Sequence, residues 1–293
     1  MKNKHFISFA IYASILIVLY NVYTQKLYQI PEIVNSWYLL ISFIFLFSAF
    51  MVDGFLWHKT LAINKILSNV YLSYHSSGST VLTKYIPGKV VFLFSRASII
   101  SEHTNRDTKD VGLLVIFIQI ISLLTGLLLS FFVISQVNYL VIFLIVSFFL
   151  TLIFILIFFD SLVLKFGLSK KKKHFEIQKY SSIFGFCFAY WLLITFGFTY
   201  LVASITNELN LALGVFFCFS ANVGIIIFLS PGGIGIREGL LTYLLLLEFK
   251  DLEFVLSISI LSRMWFLVAE SLYFGVGFLS KYLMSKTTEK SLE

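Results

Sequence analysis

Seven apolar runs, each near the length that carries a helix across a bilayer, limit this chain to a membrane-embedded helix bundle. A hydrocarbon core about 30 Å thick needs about 20 apolar residues of helix. The runs are Phe6–Tyr23, Trp37–Trp57, Val111–Ile134, Tyr139–Phe159, Tyr180–Val202, Leu211–Leu229 and Phe254–Leu279. A shorter run, Ile236–Phe249, measures only ~21 Å as a helix and would form a thin, tilted or partly re-entrant span. Phe6–Tyr23 follows Lys2 and Lys4 as a secretory signal would. No small-residue cleavage site follows it, so it is read as a retained first helix. Composition agrees, with 59% hydrophobic and 13% charged residues and a mean hydropathy of +0.93, where soluble domains carry about 25% charged residues. A soluble enzyme, a secreted disulfide scaffold and a nucleic-acid reader are excluded. Cys187 and Cys218 both lie inside apolar runs and read as small buried hydrophobes.

The net charge of +7 reports topology, since cytoplasmic loops of membrane proteins collect Lys and Arg. Eighteen of the 22 basic residues fall on the N-terminal tail, on Lys59–Lys109, on Lys165–Lys179 and on the tail from Lys281. Lys26 and Lys250 fall on the opposite side, and Arg237 and Arg263 at or within the membrane. The expected architecture is therefore all-α: one polytopic integral membrane domain over residues 1–293, with about eight spans and both termini cytoplasmic. Residues 80–110 must start and finish on the cytoplasmic side and form a re-entrant or interfacial motif. Residues 165–179 form a basic cytoplasmic loop, and 230–249 a Gly-rich break with a short helix. Asp53 and Asp160 are expected at the interface, and Gln119, Ser220 and Asn222 in interhelical hydrogen bonds or along a polar track. No loop is large enough for a soluble catalytic domain, and no Walker A motif is present. The five histidines show no ligand spacing, so neither a metal nor another cofactor is expected.

Two stretches interrupt the apolar pattern in related ways. One is Lys84-Tyr85-Ile86-Pro87-Gly88-Lys89-Val90, continuing to Arg96; the other is Pro231-Gly232-Gly233-Ile234-Gly235-Ile236-Arg237-Glu238. Each is a Pro-Gly break followed by an apolar, arginine-bearing run. Non-helical backbone at membrane depth persists only where it is buried in protein or lines a wet cavity. A helix that starts after such a break points free N–H groups and a partial positive charge at it, which suits an anion. Paired interrupted segments of this kind mark transporter binding sites. Arg263 and Glu270 add charge inside the last run. A charge at mid-bilayer costs about 2.5–3.5 kcal/mol on insertion scales, so such residues face a cavity or a partner. The two lie two turns apart, a long reach for direct contact, which favours partners such as Glu238, Arg237 or a ligand.

These motifs, with Arg263-Met264-Trp265 and Glu270, resemble the lysylphosphatidylglycerol synthase transmembrane-region family of flippase-like membrane proteins, over nearly the whole chain. The resemblance implies a helix bundle that moves a lipid or lipid-linked intermediate between leaflets. It assigns the functional positions to Lys89, Arg96, Pro231, Gly232, Gly233, Arg237, Glu238, Arg263 and Glu270. The sequence carries no appended synthase domain, so no aminoacyl transfer is expected. The leading expectation is a non-enzymatic translocator of an anionic phospholipid or a polyprenyl-phosphate-linked intermediate in a bacterial cytoplasmic membrane. Its partners are then membrane lipids, not nucleic acid. Arg237 and Arg263 would contact phosphate, Lys89 and Arg96 would stand at the cytoplasmic entrance, and Glu238 and Glu270 would be counter-charges. Two alternatives are a non-catalytic partner within an envelope-synthesis complex and a membrane-embedded transferase with Glu238 or Glu270 as base.

Overall fold

The computed structural model describes residues 31–66, 69–85, 90–134, 177–226, 233 and 235–289. These residues form eight α-helices and one 3-10 turn, with no strand among them. The helices are α1 (Ser36–Ile63), α2 (Val70–Gly78), α3 (Val90–Thr104), α4 (Thr108–Ile134), α5 (Ile177–Thr206), α6 (Leu211–Ile226), α7 (Ile236–Phe249) and α8 (Leu252–Glu289); the turn is Val81–Tyr85. Four of them, α1, α4, α5 and α8, are long and apolar enough to cross a membrane. The chain is a polytopic membrane helix bundle. The expected spans Phe6–Tyr23 and Tyr139–Phe159 lie outside the described residues. So do Lys89, Pro231, Gly232 and residues 165–176 of the expected basic loop 165–179, whose last three residues instead open α5.

Helix ends follow local chemistry. The Asn35 side chain accepts the N–H groups of Trp37 and Tyr38 at 3.1 and 3.3 Å and so caps α1, satisfying donors that have no intrahelical partner. The N–H groups of Val34 and Asn35 reach Ser204 O at 2.8 and 2.9 Å, pinning the start of α1 to the end of α5. These two helices pack along their length. α7 and α8 form a hairpin whose tip is Lys250 in the left-handed conformation (φ +54°). Asp251 then caps α8, accepting from Glu253 and Phe254 at 3.0 and 3.3 Å. A Thr242–Ser259 hydrogen bond of 2.9 Å fixes the hairpin register.

Two apolar clusters hold the bundle. One centres on a stack of Phe198 and Phe217 (centroids 4.4 Å apart) with Trp265 edge-on to it, joining α5, α6 and α8. The other joins α1, α3, α4 and α5 around Trp57, Ile100, Ile118 and Ile183. Tyr and Phe rings in such arrangements add about 0.5–1.5 kcal/mol per pair beyond their buried area. Cys187 and Cys218 are buried within these clusters as free thiols.

α2 carries no apolar run and is too short to span, yet most of it is buried. Ser73, Ser76, Ser77 and Thr80 satisfy themselves by hydrogen bonds to carbonyls three or four residues back, the usual local bonding of helical hydroxyls. The helix is tied to α8 by Ser77–Tyr273 (2.7 Å) and by His75 Nδ1, which donates to Gly277 O at 3.1 Å. The segment 80–110 thus opens with the 3-10 turn, continues as α3, and folds back along α4 after Asn105, which holds φ +50°.

Candidate functional site

A cavity of about 270 Å³ opens between the two apolar clusters, lined by Phe50, Trp191 and Ala221 from one and Leu93 from the other. Four cations drawn from four different elements line it: Lys84 from the 3-10 turn, Arg96 from α3, Arg237 from α7 and Arg263 from α8. Asp53 of α1 and Gln119 of α4 complete its polar wall.

Three of the cations meet carboxylates. Arg96, only 2% exposed, reaches Asp53 Oδ2 through Nη2 at 3.3 Å and stacks on the Trp57 ring at 4.7 Å. Arg263 Nη1 lies 3.6 Å from Glu238 Oε1, and its guanidinium sits 5.0 Å from the centre of the Tyr85 ring. Glu238 and Arg263 stand nearly equidistant from the Lys250 tip, so the hairpin itself brings them together. Lys84 pairs with the fully buried Glu270, and the Tyr85 hydroxyl donates to the other oxygen of that carboxylate at 2.6 Å. Burial, with the negative charge of Glu270 beside it, raises the Tyr85 hydroxyl well above its ordinary value near 10, so it remains a donor. The turn and α8 are thereby clasped at one carboxylate.

Arg237 is different. It is 6% exposed and takes part in no ion pair among the described residues. Its guanidinium lies against the rings of Phe217 and Phe266, at 4.5 and 4.6 Å. Nε and Nη2 are buried without a hydrogen-bond partner among the described residues. A buried polar group left unsatisfied costs about 1–3 kcal/mol. Cation–π contact, about 2 kcal/mol or more when desolvated, offsets part of that. Fold stability alone gives no reason to place a guanidinium here.

The Gly-rich break explains how Arg237 reaches the cavity. Gly233 (φ +73°) and Gly235 (φ +87°) both occupy the left-handed region, which costs other residues about 1–2 kcal/mol. A Cβ on Gly233 would stand 3.1 Å from Gly224 O on α6, so the break runs close against that helix. α7 then begins, and the Glu238 carboxylate accepts the Gly235 N–H at 2.7 Å. This is one half of a capping box, so Glu238 organises the helix start as well as facing Arg263.

Of the nine positions expected from sequence, Arg96, Arg237 and Arg263 line one cavity, Glu238 and Glu270 stand directly behind its cations, and Gly233 shapes its approach. Lys89, Pro231 and Gly232 fall outside the described residues. Arg263 and Glu270 take separate partners. Asp53 lines the cavity and holds Arg96. Ser220 and Asn222 bond carbonyls of their own helix, whereas Gln119 does line the cavity. Lys84 and Tyr85 were not expected at the site, although both belong to the first interrupted motif. Among the described residues no cluster of three or more His, Cys, Asp or Glu side chains could hold a metal ion.

A family model described as lysylphosphatidylglycerol synthase TM region matches residues 5–268. No curated protein and no solved structure matches the chain significantly. The match marks a multi-pass membrane protein of lipid or envelope biosynthesis.

Proposed function

Because the chain belongs to the lysylphosphatidylglycerol synthase TM-region family, we propose that it is a flippase-like translocator. It carries an anionic phospholipid, or a polyprenyl-phosphate-linked intermediate, across a bacterial cytoplasmic membrane. The observation that carries this reading is the cavity itself: four cationic side chains from four elements converge on it, and one of them, Arg237, takes part in no ion pair among the described residues. A lipid that changes leaflet must bring its phosphate through hydrocarbon while its tails stay in lipid. Cations held ready in a low-dielectric site replace the lost hydration of that phosphate through charge-assisted hydrogen bonds. The paired acids balance the same cations when no headgroup is present. Pro231, Gly232 and Lys89 belong to the same site by their place in the two motifs.

The test is reconstitution. Proteoliposomes should move labelled phosphatidylglycerol between leaflets faster than protein-free vesicles of the same lipid composition. Equal rates for protein-containing and empty vesicles would overturn the proposal.

A second reading is a non-catalytic partner in an envelope-synthesis complex, with the charges acting as helix glue. The three ion pairs that join α1 to α3, α7 to α8 and the 3-10 turn to α8 favour it. Stable co-purification with a synthetic enzyme, together with no lipid movement by the chain alone, would select that reading.

A further inference from the structure

A second hollow, of about 130 Å³, lies in the seam between α3 and α4. Leu93 and Phe94 of α3 form one wall, and Thr108, Lys109, Gly112 and Ile116 of α4 form the other. The α4 residues recur on one face over two turns, about 12 Å of helix. That face continues to Gln119, which lines the cation cavity, and Leu93 lines both hollows. The groove and the cavity thus lie on either side of one side chain. We propose that the α3–α4 groove is a docking site for an anionic phospholipid, with its phosphate at Lys109, one acyl chain against Gly112 and Leu93, and the cation cavity as its next station. This deepens the proposed function by giving the cargo a point of entry, and it rests on that reading.

The walls suit a lipid lying in its own leaflet. Phe94 and Ile116 are 56% and 37% exposed, so the seam opens outward. Gly112 makes the room, since the nearest atom a Cβ there would meet is Ala97 Cβ at 3.9 Å. α4 begins at Thr108 and is long and apolar enough to cross a membrane. Lys109 therefore stands at the interfacial end of the span, and the groove runs from it into hydrocarbon. Lys109 is exposed, and its ammonium enters no ion pair among the described residues. Asp107 accepts the Lys109 backbone N–H at 3.0 Å. Asp107 and Asp110, two residues before and one after Lys109, do not share its face of the helix. Lipid tails are as apolar as leucine, so the hydrophobic effect draws no chain into the groove. Occupancy comes from dispersion contact with the walls and from the phosphate at Lys109. The aliphatic stem of that lysine lies along the groove while its ammonium reaches the headgroup layer. Phe92 and Arg96, neighbours of Leu93 on α3, line the cavity, so Leu93 is the partition between a docked chain and the cations within.

Photolabelling of the full-length protein in phosphatidylcholine proteoliposomes tests this. The probe is phosphatidylglycerol with a diazirine midway along one acyl chain; a parallel sample carries the same chain on phosphatidylcholine. Labelled residues are read by peptide mass spectrometry. Label is expected to concentrate on Leu93, Phe94 and residues 112–116, at about fivefold higher yield for phosphatidylglycerol, and Lys109→Gln should bring the two lipids within about twofold. Gly112→Phe fills the groove and should cut this labelling by about fivefold or more, whereas Gly112→Ala should leave it within about twofold. Where Gly112→Phe fails to fold by gel filtration, Ile116→Trp, at a position already 37% exposed, fills the groove and decides instead. Label spread evenly over α1, α5, α8 and the seam would overturn the proposal and leave only annular lipid. Parent-level labelling in the filled variant would overturn it too, as would a lipid preference that survives Lys109→Gln. Lipid movement at the parent rate in the filled variant would overturn the point of entry and leave the transport reading standing. The expected labelling pattern with no lipid movement by the parent would sink transport and keep the docking site.

Discussion

Glu270→Gln perturbs the clasp between the 3-10 turn and α8 with almost no change in shape. Glu270 has no exposed surface and serves two donors, Lys84 Nζ and the Tyr85 hydroxyl. Neutralising it leaves Lys84 against the rings of Phe266 and Tyr85, at 5.3 and 5.6 Å, without its counter-charge. Removing one member of a fully buried pair costs about 3–5 kcal/mol. The Lys84 side chain is 29% exposed, so the expected loss falls to about 2 kcal/mol after screening. At about 2–4 °C per kcal/mol for a chain of this size, the melting midpoint in detergent should fall by about 4–8 °C. Tyr85→Phe removes one charge-assisted hydrogen bond and should cost about 1.5 kcal/mol. Lys84→Met combined with Glu270→Gln removes both charges together and should melt above Glu270→Gln alone, giving a coupling energy of about 1–2 kcal/mol. Losses that simply add, or a Glu270→Gln midpoint within about 1 °C of the parent, would refute the clasp.

Gly233→Ala should destabilise by at least about 1 kcal/mol, since φ is +73° and its Cβ would meet Gly224 O at 3.1 Å; Gly239→Ala, in a helix with open space around it, should leave the melting midpoint unchanged or slightly raised. Asp53→Asn removes the carboxylate that faces the cavity beside Arg96 and should tighten calorimetric binding of short-chain phosphatidylglycerol by about 1 kcal/mol, roughly fivefold; unchanged or weaker binding would contradict that charge balance. Burial lowers the His75 pKa, and the nearby Lys281 and His103 push the same way, against the opposing pull of its bond to Gly277 O. Folded protein therefore binds fewer protons than unfolded protein below the ordinary histidine value near 6.5, and stability falls as pH drops through that value, levelling off below the folded one. In melts across that range, His75→Asn, which can keep a donor towards Gly277, should lose less stability on acidification than the parent.

The spanning helices were legible because hydrocarbon imposes a length: α1, α4, α5 and α8 coincide with the apolar runs at Trp37, Val111, Tyr180 and Phe254. Arg96, Arg237, Arg263, Glu238 and Glu270 were picked out by the family resemblance, and the cost of charge in lipid gave a reason for intramembrane charges to face a cavity or a partner. Most of their pairing was not legible. Lys84 meets Glu270 across 186 positions, and no local spacing encodes that contact. The Glu238–Arg263 contact is the exception: Glu238 was among the partners favoured from the sequence, and the hairpin turn at Lys250 brings the two together. α2 escaped notice for a different reason. Its hydroxyls satisfy themselves on their own backbone, so a polar segment is buried that no hydropathy window would flag.

The most direct measurement is the rate at which proteoliposomes bearing the parent chain, Arg237→Ala or Arg263→Ala move labelled phosphatidylglycerol between leaflets, at matched protein incorporation. A cavity that escorts phosphate through hydrocarbon predicts rapid movement by the parent and a drop of about tenfold or more for each variant. Parent-like rates for both folded variants would contradict it.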